Sequence, residues 1–237
     1  METSFAQELL LAHEAALQTL EATVSQEDAR GRIAALQNRV AVQHEFFYAA
    51  VEDYDDEIVN WTCGEVGVAL SSAVWSMSGG WYSGAICQMR TALDVGIAAL
   101  YFIVREMEGG QGDYERFYVE WDRGDRDTPN WGEMTEYLEG RPQFASLKAA
   151  KGLTPISDAY DHFKALCAYS HGAAVNKDGE MIRAIDTNGL CSFDENLFDT
   201  AATHLDVTIQ RITALWAGWF PKAMTSRPAT DTTHGPT

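Results

Sequence analysis

Gly79 to Met107 reads GGWYSGAICQMRTALDVGIAALYFIVREM, and within it Val95 to Val104 (VGIAALYFIV) is an unbroken apolar run. The fold class turns on whether this run is a strand, a membrane span or the core helix of a bundle. Period alone does not separate a buried strand from a buried helix. Length does, because the apolar pattern extends back through Leu93, Met89 and Ile86, too far for one strand. A helix apolar on most sides belongs in a core or a membrane. A span needs roughly 20 uninterrupted apolar residues, and here Arg90 and Asp94 stand on one side and Arg105-Glu106 on the other. The reading is a soluble core helix over about 81–107, entered across the Ser78-Gly79-Gly80 break.

Arg90 and Asp94 are four apart and share a helix face, with Cys87, Ile97 and Tyr101 near it. An unpaired buried charge costs several kcal/mol. The pair therefore either serves itself and nearby backbone or frames a polar pocket.

Working outward, the 237 residues fit one domain. The domain is expected over 1–224, with a Thr-, Pro- and Gly-rich tail at 225–237 reading as disordered. Lys and Arg number 17 against 35 Asp and Glu, a net charge of −18. Such a surface repels nucleic-acid backbones in the absence of a basic patch, and the sequence contains no Lys/Arg cluster. The acidity suits a basic protein partner or a salty habitat. Cys63, Cys87, Cys167 and Cys191 form no C-x-x-C and read as free thiols. The opening METSFAQELLLAHEA lacks a basic region followed by a cleavable apolar run. A cytoplasmic location without membrane attachment is the expectation.

Further helices are expected at 4–24, at 26–54 with Ser25 opening an S-x-x-D capping pattern, and at 64–77 with Val66, Leu70, Val74 and Met77 inward. The second of these runs into the acidic stretch Glu52 to Glu57. The region 108–156 is the least regular. Tyr114, Phe117, Tyr118 and Trp121 suggest a short surface helix. Two more short helices are expected at 133–138 and 145–150, and the whole region reads as a lid or a long connection. A helix over Ser157 to Tyr169, capped by Ser157, closes on Ser170-His171-Gly172, where Gly172 suits the position beyond a helix end. Met181 to Phe193 carries Asn188-Gly189 between apolar runs, the local signal for a small β-hairpin. The last helix is expected over Asp194 to Phe220, with Leu197, Ala201, Leu205, Ile212, Leu215 and Trp219 inward and Pro221 ending it. The fold class is thus all-α: a single helical bundle around a central buried helix, with a minor β-hairpin.

Di-iron bundles need Glu-x-x-His pairs, and none of His13, His44, His162, His171 and His204 has Glu or Asp three residues before it. There is no P-loop, no G-x-S-x-G and no G-x-G-x-x-G after a strand. No metal and no cofactor is therefore expected. The stretch with most chemical content is Asp161 to Gly172, DHFKALCAYSHG. Lys164 and His171 are two turns apart and face the same way. A histidine near its ordinary pKa moves protons, and a cation stabilises charge on phosphate. The two suit metal-independent RNA cleavage through the 2′-hydroxyl. The alternative is a histidine closing a helix C-terminus, favourable to the dipole.

Gly80-Trp81-Tyr82, the Arg90 to Asp94 pair and Ser170-His171-Gly172 together resemble uncharacterised bacterial helical bundles related to the HEPN superfamily. The resemblance covers about Val66 to Gly172 and the last helix. It implies a helical bundle, often dimeric, and in many members an RNase of toxin or antiviral systems with Arg-x4–6-His on a late helix. Here Lys164 stands in the place of that Arg, and Asp94 stands where Glu is usual. Three functions stay open. The leading one is a HEPN-like partner-binding or defence-associated component, as a homodimer or with a protein partner, a basic one included. The second is a metal-independent endoribonuclease using His171, Lys164, Arg90 and Asp94, the one case in which RNA is a partner. The third is an acidic inhibitor or nucleic-acid mimic.

Overall fold

The computed structural model describes residue 14 and residues 17–51, 57–108, 113–170 and 193–220, and every regular element among them is a helix. In chain order these are α1 (17–25), α2 (Glu27–Val51), α3 (Glu57–Ser78), α4 (Tyr82–Met107), α5 (Asp113–Asp122), α6 (Trp131–Glu139), α7 (Pro142–Lys151), α8 (Pro155–Ser170) and α9 (Glu195–Trp219). The expected hairpin at Met181–Phe193 lies outside the described residues except for Phe193. His171, Gly172, the acidic run from 52 to 56 and the tail 225–237 also lie outside them.

Helix α4 is buried on every side over most of its second half, while Ser83, Cys87 and Thr91 leave one exposed face along its first half. From Gly96 to Val104 each residue is buried, and Ile97 and Leu100 expose no surface. Its neighbours are α3 above all, then α9, α8, α5 and α6. Of the described helices, α4 alone has the length and composition of a membrane span, and 67% of its apolar window is covered by the rest of the molecule. The same Ala, Leu and Ile side chains that would face lipid are here in contact with other helices.

The α3–α4 hairpin is closed by Gly80, whose φ of 77° is the left-handed conformation that glycine adopts without a Cβ penalty. Trp81 N–H then reaches back to the Ser76 carbonyl at 2.7 Å, and Gly80 N–H to Met77 at 3.0 Å. Helix α3 runs longer than its apolar stripe suggests. No breaker separates Glu57 from Gly64, and buried Cys63 extends the stripe one turn towards the N-terminus.

Two caps differ from the sequence reading. The Ser25 hydroxyl donates to the Glu21 carbonyl within α1, so it does not cap α2; this back-bond to i−4 competes with capping. Helix α8 starts at Pro155, ahead of Ser157, because proline suits the first helical position. Thr154 stands before it, its carbonyl taking the Asp158 N–H at 2.9 Å, and Ser157 donates instead to the Glu139 carboxylate.

Between Asp113 and Lys151 the chain forms three short helices fastened to the core. Asn130 caps α6 by accepting the Gly132 N–H at 2.7 Å. Tyr101 of α4 donates to Glu133 at 2.6 Å, and Tyr137 donates to Glu108 at 2.8 Å. The Arg105 guanidinium lies over the Tyr101 and Tyr137 rings at 4.9 and 4.3 Å. At the other end of α4, the buried Tyr82 hydroxyl bridges the backbone of Asp194, donating to its carbonyl and accepting its N–H, each at 3.0 Å. Asp194 in turn caps α9 through the Leu197 N–H.

Helix α7 approaches α9 so closely that a Cβ at Gly218 would stand 2.6 Å from Phe144 Cε1 and 3.2 Å from Leu147 Cδ1. Gly218→Ala must push the buried Phe144 ring off its seat beside Trp219. Overpacking of this kind costs about 1–3 kcal/mol, to be read as a lowered urea midpoint at unchanged m-value.

Candidate functional site

Arg90 and Asp94 leave the upper edge of α4 where α6 and α8 meet it. Arg90 Nε lies 3.7 Å from Asp94 Oδ2, with side chains 32% and 27% exposed. That distance is an ion pair rather than a hydrogen bond, and Arg90 Nε makes no hydrogen bond among the described residues. Asp94 Oδ1 is engaged by the indole N–H of Trp131, at 2.5 Å. Burial pushes the Asp94 carboxyl above its ordinary range, while the Trp131 hydrogen bond and the Arg90 charge pull the other way.

Trp131 is the first residue of α6 and packs on two rings of α8. Its ring stacks on Phe163 at 4.4 Å and on Tyr160 at 5.7 Å, both from α8. Arg90 lies 5.3 Å over the outer part of the same wall, at Phe163. Cys167, one turn on, is close enough to Arg90 and Asp94 to sense both charges, and burial raises its thiol pKa. The cluster is therefore an ion pair held by an indole N–H on an aromatic wall.

Lys164 lies at the rim of this wall. Its ammonium sits 4.6 Å over the Tyr160 ring and pairs with Asp161 at 2.7 Å on the exposed side of α8. Asp161 raises its pKa. The structure thus joins Arg90 and Asp94 of α4 to Phe163 and Trp131, while Lys164 meets Asp161 and Tyr160 of its own helix. His171 follows the last residue of α8 and lies outside the described residues. Among the described residues, no three His, Cys, Asp or Glu side chains are grouped to hold a metal.

A second polar group joins α8 to α9. The Thr208 hydroxyl donates to the His204 carbonyl at 2.8 Å, so its lone pairs are left to accept from His162 Nε2 at 2.9 Å. That places the proton of a neutral His162 on Nε2. The two imidazoles stack at 5.7 Å, Tyr169 meets the His204 ring edge-on at 5.0 Å, and Arg211 pairs with Asp158 at 3.0 Å nearby. Burial, with the His204 and Arg211 charges, pushes His162 down to about 4.

The aromatic wall and the His162–His204 pair were not singled out from the sequence. Tyr160, Phe163, Lys164 and Cys167 do share one α8 face by their spacing, and that was the available signal. Nothing local in the sequence connects Trp131 to Asp94. Neither family models, curated proteins nor solved structures contain a match to this chain.

Trp131→Phe keeps the stack but removes the N–H from Asp94. A loss of about 1–3 kcal/mol of stability is expected, together with a further rise of the Asp94 pKa, followed by NMR titration of its carboxyl carbon. His162 gives a pH signature of defined sign. Its native pKa of about 4 lies below the unfolded value near 6.5. The unfolded chain therefore binds the proton first, and stability falls as pH drops from about 6.5 and levels off near 4. The full effect is on the order of 3 kcal/mol. Urea titrations from pH 7 to 4 should show that slope in the wild type and a shallower one in His162→Gln.

Proposed function

We propose that this chain is a HEPN-like helical protein that acts by binding another protein, as a partner-binding or defence-associated component, rather than by turning over a substrate. The observation that carries this reading is a ridge on α3. Trp61, Val68 and Trp75 recur every seven residues, so they share one helix face; Val68 and Trp75 are each 61% exposed, and Trp61, 38% exposed, leans edge-on against Tyr118 and Trp121 of α5. Tryptophan is enriched in the centres of protein interfaces, and charge is depleted there. The Arg90–Asp94 pair supports the same reading from the other side. Its carboxylate is taken up by Trp131 and Arg90, which is what a structural lock between three helices requires.

The endoribonuclease reading keeps one observation in its favour. Arg90 lies over Phe163 and Lys164 over Tyr160, two rings of the same α8, and His171 follows α8 directly in the chain. Lysine contacts phosphate as a point charge and lacks the bidentate geometry of arginine, and the net charge of −18 opposes RNA.

The two readings separate in one pair of measurements. The binding reading expects no cleavage of single-stranded RNA in excess chelator beyond that of a His171→Ala preparation, and a protein complex lost in Trp61→Ala/Trp75→Ala. RNA cleavage without metal that disappears in His171→Ala and Lys164→Ala, at unchanged melting temperature, would establish the nuclease instead.

A further inference from the structure

We infer that Met107 is a site of reversible oxidation by peroxides, that its sulfoxide forms as one epimer, and that Trp219 reads the change at the junction of α4, α7 and α9. This goes beyond the binding reading above and does not rest on it.

The first argument is access. The chain has seven methionines; Met1, Met181 and Met224 lie outside the described residues. Of the other four, Met77, Met89 and Met134 expose no surface, whereas Met107 is 48% exposed. It is the last residue of α4, beyond the buried stretch from Gly96 to Val104. A thioether in the core meets an oxidant only when the surrounding helices open. Its sulfoxide would then be a polar group among apolar atoms. Neither penalty applies at Met107, where the native chain admits the oxidant and water can solvate the product. Met107 can therefore pass between thioether and sulfoxide without unfolding.

The second argument is the geometry at sulfur. The Trp219 indole N–H donates to the Met107 thioether, Nε1 to Sδ at 3.4 Å. The two lone pairs of that sulfur are inequivalent in a chiral surrounding, and the indole N–H occupies one of them. The other attacks an oxygen of hydrogen peroxide. An S–O bond forms, the O–O bond breaks, and the proton of the transferred oxygen joins the departing hydroxide as water. Sulfur loses two electrons and the peroxide gains them. Because the indole blocks one side, oxygen enters from the opposite side and a single configuration at sulfur results.

The third argument is the reader. Trp219 is 8% exposed and stacks on Phe144 of α7 at 6.3 Å, beside Gly218, where α7 and α9 nearly touch. An N–H so covered needs an acceptor. Thioether sulfur is a weak one, while the sulfoxide oxygen carries negative charge and is much stronger. The three rotatable bonds of methionine let that oxygen swing onto the N–H. The link from α4 to a residue 112 positions away is then strengthened, and the oxidation state of one exposed side chain reaches the α7–α9 contact.

The test treats the full native chain with dilute hydrogen peroxide at neutral pH and maps oxygen uptake by peptide mass. The tryptic peptide 106–116 carries Met107 alone. It is expected to gain one oxygen at least about tenfold faster than the peptides holding Met77, Met89 and Met134. Digestion with each of the two stereospecific classes of methionine sulfoxide reductase then reports configuration. One class is expected to reduce the peptide and the other to leave it, an epimer excess of about fivefold or more. Chain oxidised in urea, and the Trp219→Phe chain oxidised under native conditions, are both expected to give the two epimers in near-equal amounts. In a proton–nitrogen correlation spectrum, the indole cross-peak missing from Trp219→Phe is expected to move downfield on oxidation and to return after reduction. The same peak in Met107→Leu is expected to ignore peroxide. Oxidation of Met107 no faster than that of the three buried methionines, equal epimers from the native chain, or a Trp219 cross-peak that stays put would each overturn the inference.

Discussion

The structure depends on the stretch of α4 from Gly96 to Val104 having no solvent-facing side. Burying an apolar helix on all sides is favourable at about 25 cal/mol per Å², but it requires an apolar stripe from every neighbour. Helices α3, α8 and α9 supply those stripes. Leu70, Val74 and Met77 come from α3, Leu166 from α8, and Leu205, Ile212 and Trp216 from α9, all buried. The chain order follows from this demand, since long helices on both sides of α4 in sequence must return to it.

Such a helix also limits where polar groups can be. Three that enter the core show how they are answered. Trp216 donates its indole N–H to the Gly96 carbonyl at 3.1 Å, Tyr82 bridges the Asp194 backbone, and Asp94 holds Trp131. These bonds join segments far apart in the chain, so they set the registration of the helices on α4, whereas the apolar contacts alone would tolerate sliding. Arg90 has a buried Nε without a hydrogen bond among the described residues, 3.7 Å from Asp94. The aromatic face of Phe163 offsets part of that cost through cation–π attraction.

The surface shows a complementary division. Acidic residues gather arginines at the ends and along the outer helices, as with Arg32 between Glu195 and Asp199 and Arg39 on Asp206. Exposed pairs of this sort contribute at most about 1 kcal/mol each. They shape the field around the molecule more than its stability. Outside this pattern, Val68 and Trp75 of α3 face solvent, each 61% exposed.

The sequence by itself determined that the fold is helical, because a long apolar run with charges at both ends satisfies its backbone only by winding on itself. It also determined the inward face of α9, where Leu197, Ala201, Leu205, Ile212, Leu215 and Trp219 are all buried. Helical spacing is a local property, legible without knowing the neighbours. The pairing of Arg90 with Asp94 was legible for the same reason, being four residues apart. What only the tertiary structure decided is which groups complete that pair. Trp131 is 37 residues from Asp94, and Phe163 comes from a helix further on. The His162–Thr208 bond spans 46 residues. The tertiary structure alone also decided that Trp75 points outward while Trp216 is buried. Both are tryptophans in helices, and only the helices packed beside each one distinguish them.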